Sequence, residues 1–94
     1  FLPYMVAKGA VATLTKALAV ELAPTITVNA IAPGTVEPPP HLTVDDLARL
    51  RSAAALERIG SPEDVIRAAL YLLEGTDFVT GEVYRVDGGR FLGP

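Results

Sequence analysis

Apolar residues in the first segment surround the helical wheel instead of forming one stripe. Between Pro3 and Leu22 the chain is rich in Ala and Leu, with Met5, Val6, Val11, Leu14, Leu18 and Leu22 falling on several sides. This pattern predicts a helix over Pro3–Leu22 that is covered on more than one side. Pro3 suits the first turn, where no intrahelical N–H is needed, and Pro24 ends the helix. Gly9, Ala10, Ala12 and Ala17 are small enough for another element to approach closely. The next run, Thr25-Ile26-Thr27-Val28-Asn29-Ala30-Ile31-Ala32, is β-branched and apolar, and predicts a buried strand over Ile26–Ala32. Pro33–Pro40 predicts a loop, because four of its eight residues are proline and one is glycine.

Helical signals then return. Thr43-Val44-Asp45-Asp46 resembles a capping box with Asp in place of Glu, and predicts a short helix reaching about Leu56. Ser61-Pro62-Glu63-Asp64 offers an N-cap hydroxyl, a proline at the first helical position and acids in the first turn. The helix it starts carries Val65, Ile66, Ala69, Leu70, Leu72 and Leu73 and stops at Gly75. Phe78-Val79-Thr80-Gly81 predicts a turn into a strand over Glu82–Val86, closed by Asp87-Gly88-Gly89. No repeats, low-complexity tracts or internal linkers interrupt this order.

Helix, strand, loop, helices, strand implies two parallel strands joined by a long right-handed crossover. Parallel strands need helices on both faces and neighbours at their edges. Two strands do not bury a sheet, so the expected fold is α/β, with these residues forming the distal part of a larger domain.

Composition narrows the function. With 94 residues, a net charge of -3, half the residues hydrophobic and a fifth charged, the chain is one small piece of ordinary globular protein. Its basic residues form no stripe, which argues against a nucleic-acid partner. It has no cysteine, which excludes disulfides, thiolate catalysis and cysteine-ligated metals and fits a reducing, cytoplasmic setting. No apolar run approaches the roughly 20 residues of a membrane span, so no membrane partner is expected. The opening Phe1-Leu2-Pro3-Tyr4 reads as the continuation of a longer chain, with no signal peptide.

The candidate chemistry lies in Tyr4-Met5-Val6-Ala7-Lys8. On a helix, residues four apart share one face. A neighbouring cation favours phenolate over phenol, and a tyrosine that loses and regains its proton is a general acid–base. Pro33-Gly34 is the second candidate, since glycine admits close backbone approach and ligands bind beyond the carboxyl ends of parallel strands. The other polar residues read as structural. Asn29 is expected to hydrogen-bond a neighbouring strand, Glu21 to find a partner near a helix end, and Asp87 to form a turn beside two glycines. His41 is expected to be solvated in its proline-rich loop, with no metal site nearby. Ser52 and Ser61 have no base beside them.

Taken in order, Tyr4-Met5-Val6-Ala7-Lys8, Leu18-Ala19-Val20-Glu21-Leu22-Ala23-Pro24, Val28-Asn29-Ala30-Ile31-Ala32-Pro33-Gly34, Val79-Thr80-Gly81 and Val86-Asp87-Gly88-Gly89 resemble the C-terminal part of the short-chain dehydrogenase/reductase family. The resemblance covers essentially the whole chain. It implies that residues 1–94 are the catalytic-helix and substrate-lid portion of a doubly wound Rossmann-type domain. The dinucleotide-binding N-terminal half, with its glycine-rich loop and catalytic serine, is then absent from this chain and supplied by a complementary segment or chain. It implies an NAD- or NADP-dependent reductase of a carbonyl or imine. Tyr4 would deliver the proton, while Lys8 would hold the nicotinamide ribose and ease the tyrosine's deprotonation. Pro33, Gly34 and Val36 would join Tyr4 and Lys8 in contacting the cofactor, Val36 through backbone groups to the nicotinamide carboxamide.

One position departs from the family. A threonine often stands two residues beyond the position of Val36 and touches the cofactor, and Pro38 stands there in this chain. The resemblance also implies a homo-oligomer paired through the Pro3–Leu22 helix. The short lid from Thr35 to Leu42, the Ala7-Lys8-Gly9-Ala10 run, Leu72-Leu73 and the ending Asp87-Gly88-Gly89-Arg90 lean towards pteridine-reductase-like members and a pterin-like substrate. The alternative is a non-catalytic binding or assembly module that keeps the fold.

Overall fold

The computed structural model describes residues 1–92. Helix α1 spans Leu2–Leu22, strand β1 Ala30–Pro33, helix α2 Val44–Ala53, helix α3 Pro62–Leu70 and strand β2 Val83–Val86. The chain divides into two compact units, Phe1–Ala30 with Leu70–Tyr84, and Ile31–Ala69 with Arg85–Pro94. β1 and β2 are hydrogen-bonded neighbours in a two-stranded sheet. Ala30 N donates to Glu82 O at 2.9 Å and Gly34 N to Val86 O at 2.9 Å, so the register advances in the same direction along both strands. The strands are parallel, and the architecture is the α/β fragment expected from the sequence.

In the first unit, α1 runs the predicted length, with proline in its first turn. After Leu22 the backbone turns extended at Ala23, ahead of Pro24. The expected multi-sided burial is not found. Only Thr15 and Ala19 are buried on α1, while Tyr4, Met5, Val6, Val11, Leu14 and Val20 are exposed. Gly81 approaches α1 at Ala19, where an added Cβ would stand 3.5 Å from Ala19 Cβ. Thr15 is satisfied within the helix, its hydroxyl donating to Val11 O at 2.8 Å.

The first strand is shorter and later than the predicted Ile26–Ala32. Extended chain becomes strand only where a partner ladder exists, and ahead of Ala30 one backbone bond, Gly81 N to Val28 O at 2.7 Å, is joined by side-chain bonds instead of a continuing ladder. Val28 N donates to Thr80 Oγ1 at 3.0 Å. Asn29 braces the approach to β2 as expected, its Nδ2 donating to Val79 O at 3.0 Å and its Oδ1 accepting from Glu82 N at 3.1 Å. After Leu70 the helix widens into a π-helical turn over Tyr71–Gly75. The Tyr71 ring covers Gly75 closely, at 2.7 Å from where a Cβ would be, and meets Tyr84 edge-on at 6.3 Å.

In the second unit, α2 begins with the capping box that its sequence announces. Asp46 N donates to Thr43 Oγ1 and Thr43 N to Asp46 Oδ2, both at 3.1 Å. The helix stops at Ala53 rather than near Leu56, where Ala54 turns extended and Glu57 adopts φ 57. Asp87 forms the expected turn, its Oδ1 accepting from Gly89 N at 2.9 Å. Among the described residues, Ala19 and Ala54 are the buried apolar ones, one in each unit.

Candidate functional site

Helix geometry brings Tyr4 and Lys8 together. One turn apart on α1, they place Lys8 Nζ 5.4 Å from the centroid of the Tyr4 ring, within the range of a cation–π contact. Both side chains are exposed. The ion pairs among the described residues are Arg58–Asp64 and Arg49–Asp46, so Lys8 has no carboxylate partner there. Its ammonium keeps donors for an acceptor-rich ligand.

Tyr4 and Lys8 belong to the first unit; Pro33, Gly34 and Val36 belong to the second. Pro33 ends β1. Gly34 follows it against the closing turn, where an added Cβ would lie 2.8 Å from Asp87 Cα and 2.9 Å from Asp87 Cβ. Only glycine lets the two backbones approach this closely. Val36 is half-buried beside Gly60, whose missing Cβ would stand 3.1 Å from Val36 Cγ1. Gly60 N also donates to Thr35 O at 2.9 Å.

The helix start at Ser61 differs from its expected form. The Ser61 hydroxyl does not cap the backbone; it donates to Asp64 Oδ2 at 3.3 Å. Ser61 N donates to the same oxygen at 2.8 Å, and Arg58 grips both carboxylate oxygens, Nη1 to Oδ2 at 3.1 Å and Nη2 to Oδ1 at 3.0 Å. The Arg58 hydrogen bonds, then that from Ser61 N, hold the Asp64 carboxyl at about 2, below its ordinary 3.8. Asp64 in turn raises Arg58. Sequence reasoning placed Asp64 in a first helical turn and missed this clamp. The available signal was Arg58 lying six residues ahead of an acid across a Gly-Ser-Pro turn.

A crevice of about 360 Å³ opens in the second unit, lined by Thr35, Asp64, Asp87, Gly88 and Arg58 among others. Pro33, Gly34 and Val36 do not line it. His41 is exposed, and no group of residues able to hold a metal ion occurs among the described residues. Glu21 is exposed and makes no ion pair among the described residues, so its expected partner near the helix end is not found. No helix among the described residues is long and apolar enough to cross a membrane.

Comparison with known proteins gives this geometry a context. The sequence profile described as enoyl-(acyl carrier protein) reductase matches residues 2–90. The chain is 38% identical over 92 residues to 3-oxoacyl-[acyl-carrier-protein] reductase FabG of Aquifex aeolicus, covering 94% of this chain and 37% of that one. Its structure is similar to FolM alternative dihydrofolate reductase 1 from Brucella suis in complex with NADP. The TM-score is 0.84 at 35% identity, over 97% of this chain and 36% of that one. It is likewise similar to a short chain dehydrogenase from Leptospira borgpetersenii with bound NAD+. There the TM-score is 0.82 at 30% identity, over 93% of this chain and 34% of that one. The chain thus spans little more than a third of the length of each. With a profile match over residues 2–90 and a parallel β1–β2 pair in a fold similar to these structures, the chain belongs to the short-chain dehydrogenase/reductase family.

Proposed function

We propose that this chain is the catalytic-helix and substrate-lid portion of an NAD(P)(H)-dependent reductase acting on a carbonyl or imine. The observation that carries this is the Lys8 ammonium 5.4 Å over the exposed Tyr4 ring, in the Tyr-x-x-x-Lys spacing of a family member. The donor set fits a nicotinamide dinucleotide. Lys8 offers N–H donors without a competing ion pair among the described residues, which suits ribose hydroxyls. Gly34, packed against Asp87 where no Cβ fits, fixes the turn beyond β1, with Val36 two residues on to meet the carboxamide. A reduced nicotinamide, when bound, supplies hydride to the carbonyl carbon.

Tyr4 completes the reduction from this chain's side. Its O–H donates a proton to the carbonyl oxygen, the C=O bond becomes C–OH, and the phenolate regains a proton from solvent. In oxidation the phenolate takes the proton instead. Lys8, one turn along α1 and over the Tyr4 ring, would hold the nicotinamide ribose beside the reacting carbonyl in both directions. The exposed apolar residues of α1, Met5, Val6, Val11 and Leu14, are the surface through which subunits would pair. The glycine-rich loop and catalytic serine would come from a complementary N-terminal segment. A pterin-like substrate is the finer reading. It rests on the short lid from Thr35 to Leu42 and on the likeness to a protein named an alternative dihydrofolate reductase.

The test is hydride transfer by the full-length protein, followed at the absorbance band of reduced nicotinamide with a panel of aldehydes, ketones, cyclic imines and pterins. Consumption of the dinucleotide with any of them supports the assignment. No consumption across the panel, with the dinucleotide shown to bind, favours an assembly module instead.

A further inference from the structure

The loop before α3 abuts the residues that follow Gly34. Arg58 Nη1 donates to Ile59 O at 3.2 Å as well as to Asp64. Asp64 accepts from Ser61 N and Ser61 Oγ as well as from Arg58. Ile59, Gly60 and Ser61 are therefore held from both ends by one guanidinium–carboxylate pair. Gly60, the middle residue, donates its N–H to Thr35 O at 2.9 Å. Its Cα leaves no slack: a Cβ there would stand 3.1 Å from Val36 Cγ1, 3.3 Å from Asp64 Oδ2 and 3.5 Å from Thr35 O. The loop enters this clamp through Glu57 at φ 57, a left-handed conformation that a non-glycine residue keeps only where its surroundings enforce it.

We infer that Arg58 and Asp64 are positioning residues that fix the height of Thr35 and Val36, and through them the affinity of the turn for the nicotinamide dinucleotide. The inference rests on the reading of Pro33-Gly34-Thr35-Val36 as the cofactor turn. The bidentate fork makes the clamp directional, because two parallel N–H···O bonds set an orientation as well as a distance. Lysine supplies the charge without the fork. Asp64 has a second duty that no cation can assume, since it accepts the Ser61 N–H.

The test uses the full-length protein with Arg58→Ala, Arg58→Lys, Asp64→Asn and Gly60→Ala, and Gly34→Ala as a control on the turn itself. Two quantities are read: reduced-dinucleotide affinity by fluorescence titration, and the amide and methyl resonances of Val36. Arg58→Ala and Asp64→Asn are expected to shift the Val36 resonances. They should weaken dinucleotide binding by about tenfold, which is about 1.4 kcal/mol. Arg58→Lys should fall between parent and Arg58→Ala. Gly60→Ala should reproduce the loss with every charge intact. Unmoved Val36 resonances in Arg58→Ala overturn the clamp. Shifted resonances with unchanged affinity overturn its link to the dinucleotide. An unchanged affinity in Gly34→Ala would instead count against the cofactor turn itself, while the Val36 shift continues to report on the clamp.

Discussion

Replacing Gly34 by alanine is the sharpest structural test of the turn, because two opposite effects meet there. Gly→Ala at an unstrained site stabilises by about 0.4–1 kcal/mol, since the unfolded chain loses freedom. Gly34 does not have a positive φ, so backbone conformation raises no objection to alanine. Space does. The new Cβ would stand 2.8 Å from Asp87 Cα and 2.9 Å from Asp87 Cβ, where ordinary contact begins at 3.4 Å. The turn and the Asp87 backbone would have to part by about 0.6 Å, the shortfall from that distance. The obstructing atoms belong largely to backbone, so no flexible side chain yields. The same separation strains the Gly34 N to Val86 O bond, now 2.9 Å. Overpacking of this kind costs roughly 1–3 kcal/mol, and a weakened hydrogen bond adds up to about 1 kcal/mol. The net effect is a loss of about 2 kcal/mol. For a domain of 150–250 residues that lowers the melting temperature by roughly 4–8 °C. Thermal unfolding of parent and Gly34→Ala in the full-length protein measures it. A melting temperature equal to or above the parent's would refute the close approach.

Three further outcomes follow from other parts of the structure. Thr43→Ala removes the acceptor of Asp46 N–H and should cost about 1 kcal/mol; the Asp46 amide should exchange faster with deuterium, and an unchanged rate would contradict the cap. The Asp64 carboxyl titrates at about 2 when folded against 3.8 otherwise, so its contribution is complete above pH 3.8 and lost as pH falls towards 2. The melting advantage of the parent over Asp64→Asn should therefore shrink between those values, and a constant difference would deny the pairing. Gly9 has nothing within 4 Å of an added Cβ, so Gly9→Ala should raise the helicity of the 94-residue chain, by up to about 1 kcal/mol of helix propensity; a fall in helicity by circular dichroism would count against the open surface.

Much of this could be read from residue order because local signals dominate it. Pro3 and Pro24 bracket α1, Thr43 and Asp46 announce α2, and Asp87-Gly88-Gly89 marks the end of β2. The misplaced start of β1 has a different origin. Ile26, Thr27 and Val28 have strand chemistry, but beyond one backbone bond at Val28 the regular ladder begins at Ala30, and its partners lie far along the chain. The π-helical turn at Tyr71–Gly75 was illegible for the same reason, because it accompanies Tyr71 packing on Gly75 and on Tyr84, thirteen residues later. Apolar residues all round α1 predicted burial that the neighbouring segment does not provide. At the site, the Tyr4–Lys8 pairing followed from helix spacing alone. The Arg58–Asp64 clamp on Gly60 did not, since it needed the loop to fold back on Thr35 and Val36.

The central claim is that Tyr4 moves the proton. Tyr4→Phe removes one hydroxyl from an exposed position on α1 and leaves the ring under Lys8. In the full-length protein, reduced-dinucleotide binding should persist while turnover of a carbonyl substrate falls by roughly 10²–10⁴-fold, the usual contribution of a positioned acid–base. Turnover equal to the parent's, at equal dinucleotide affinity, would contradict the role.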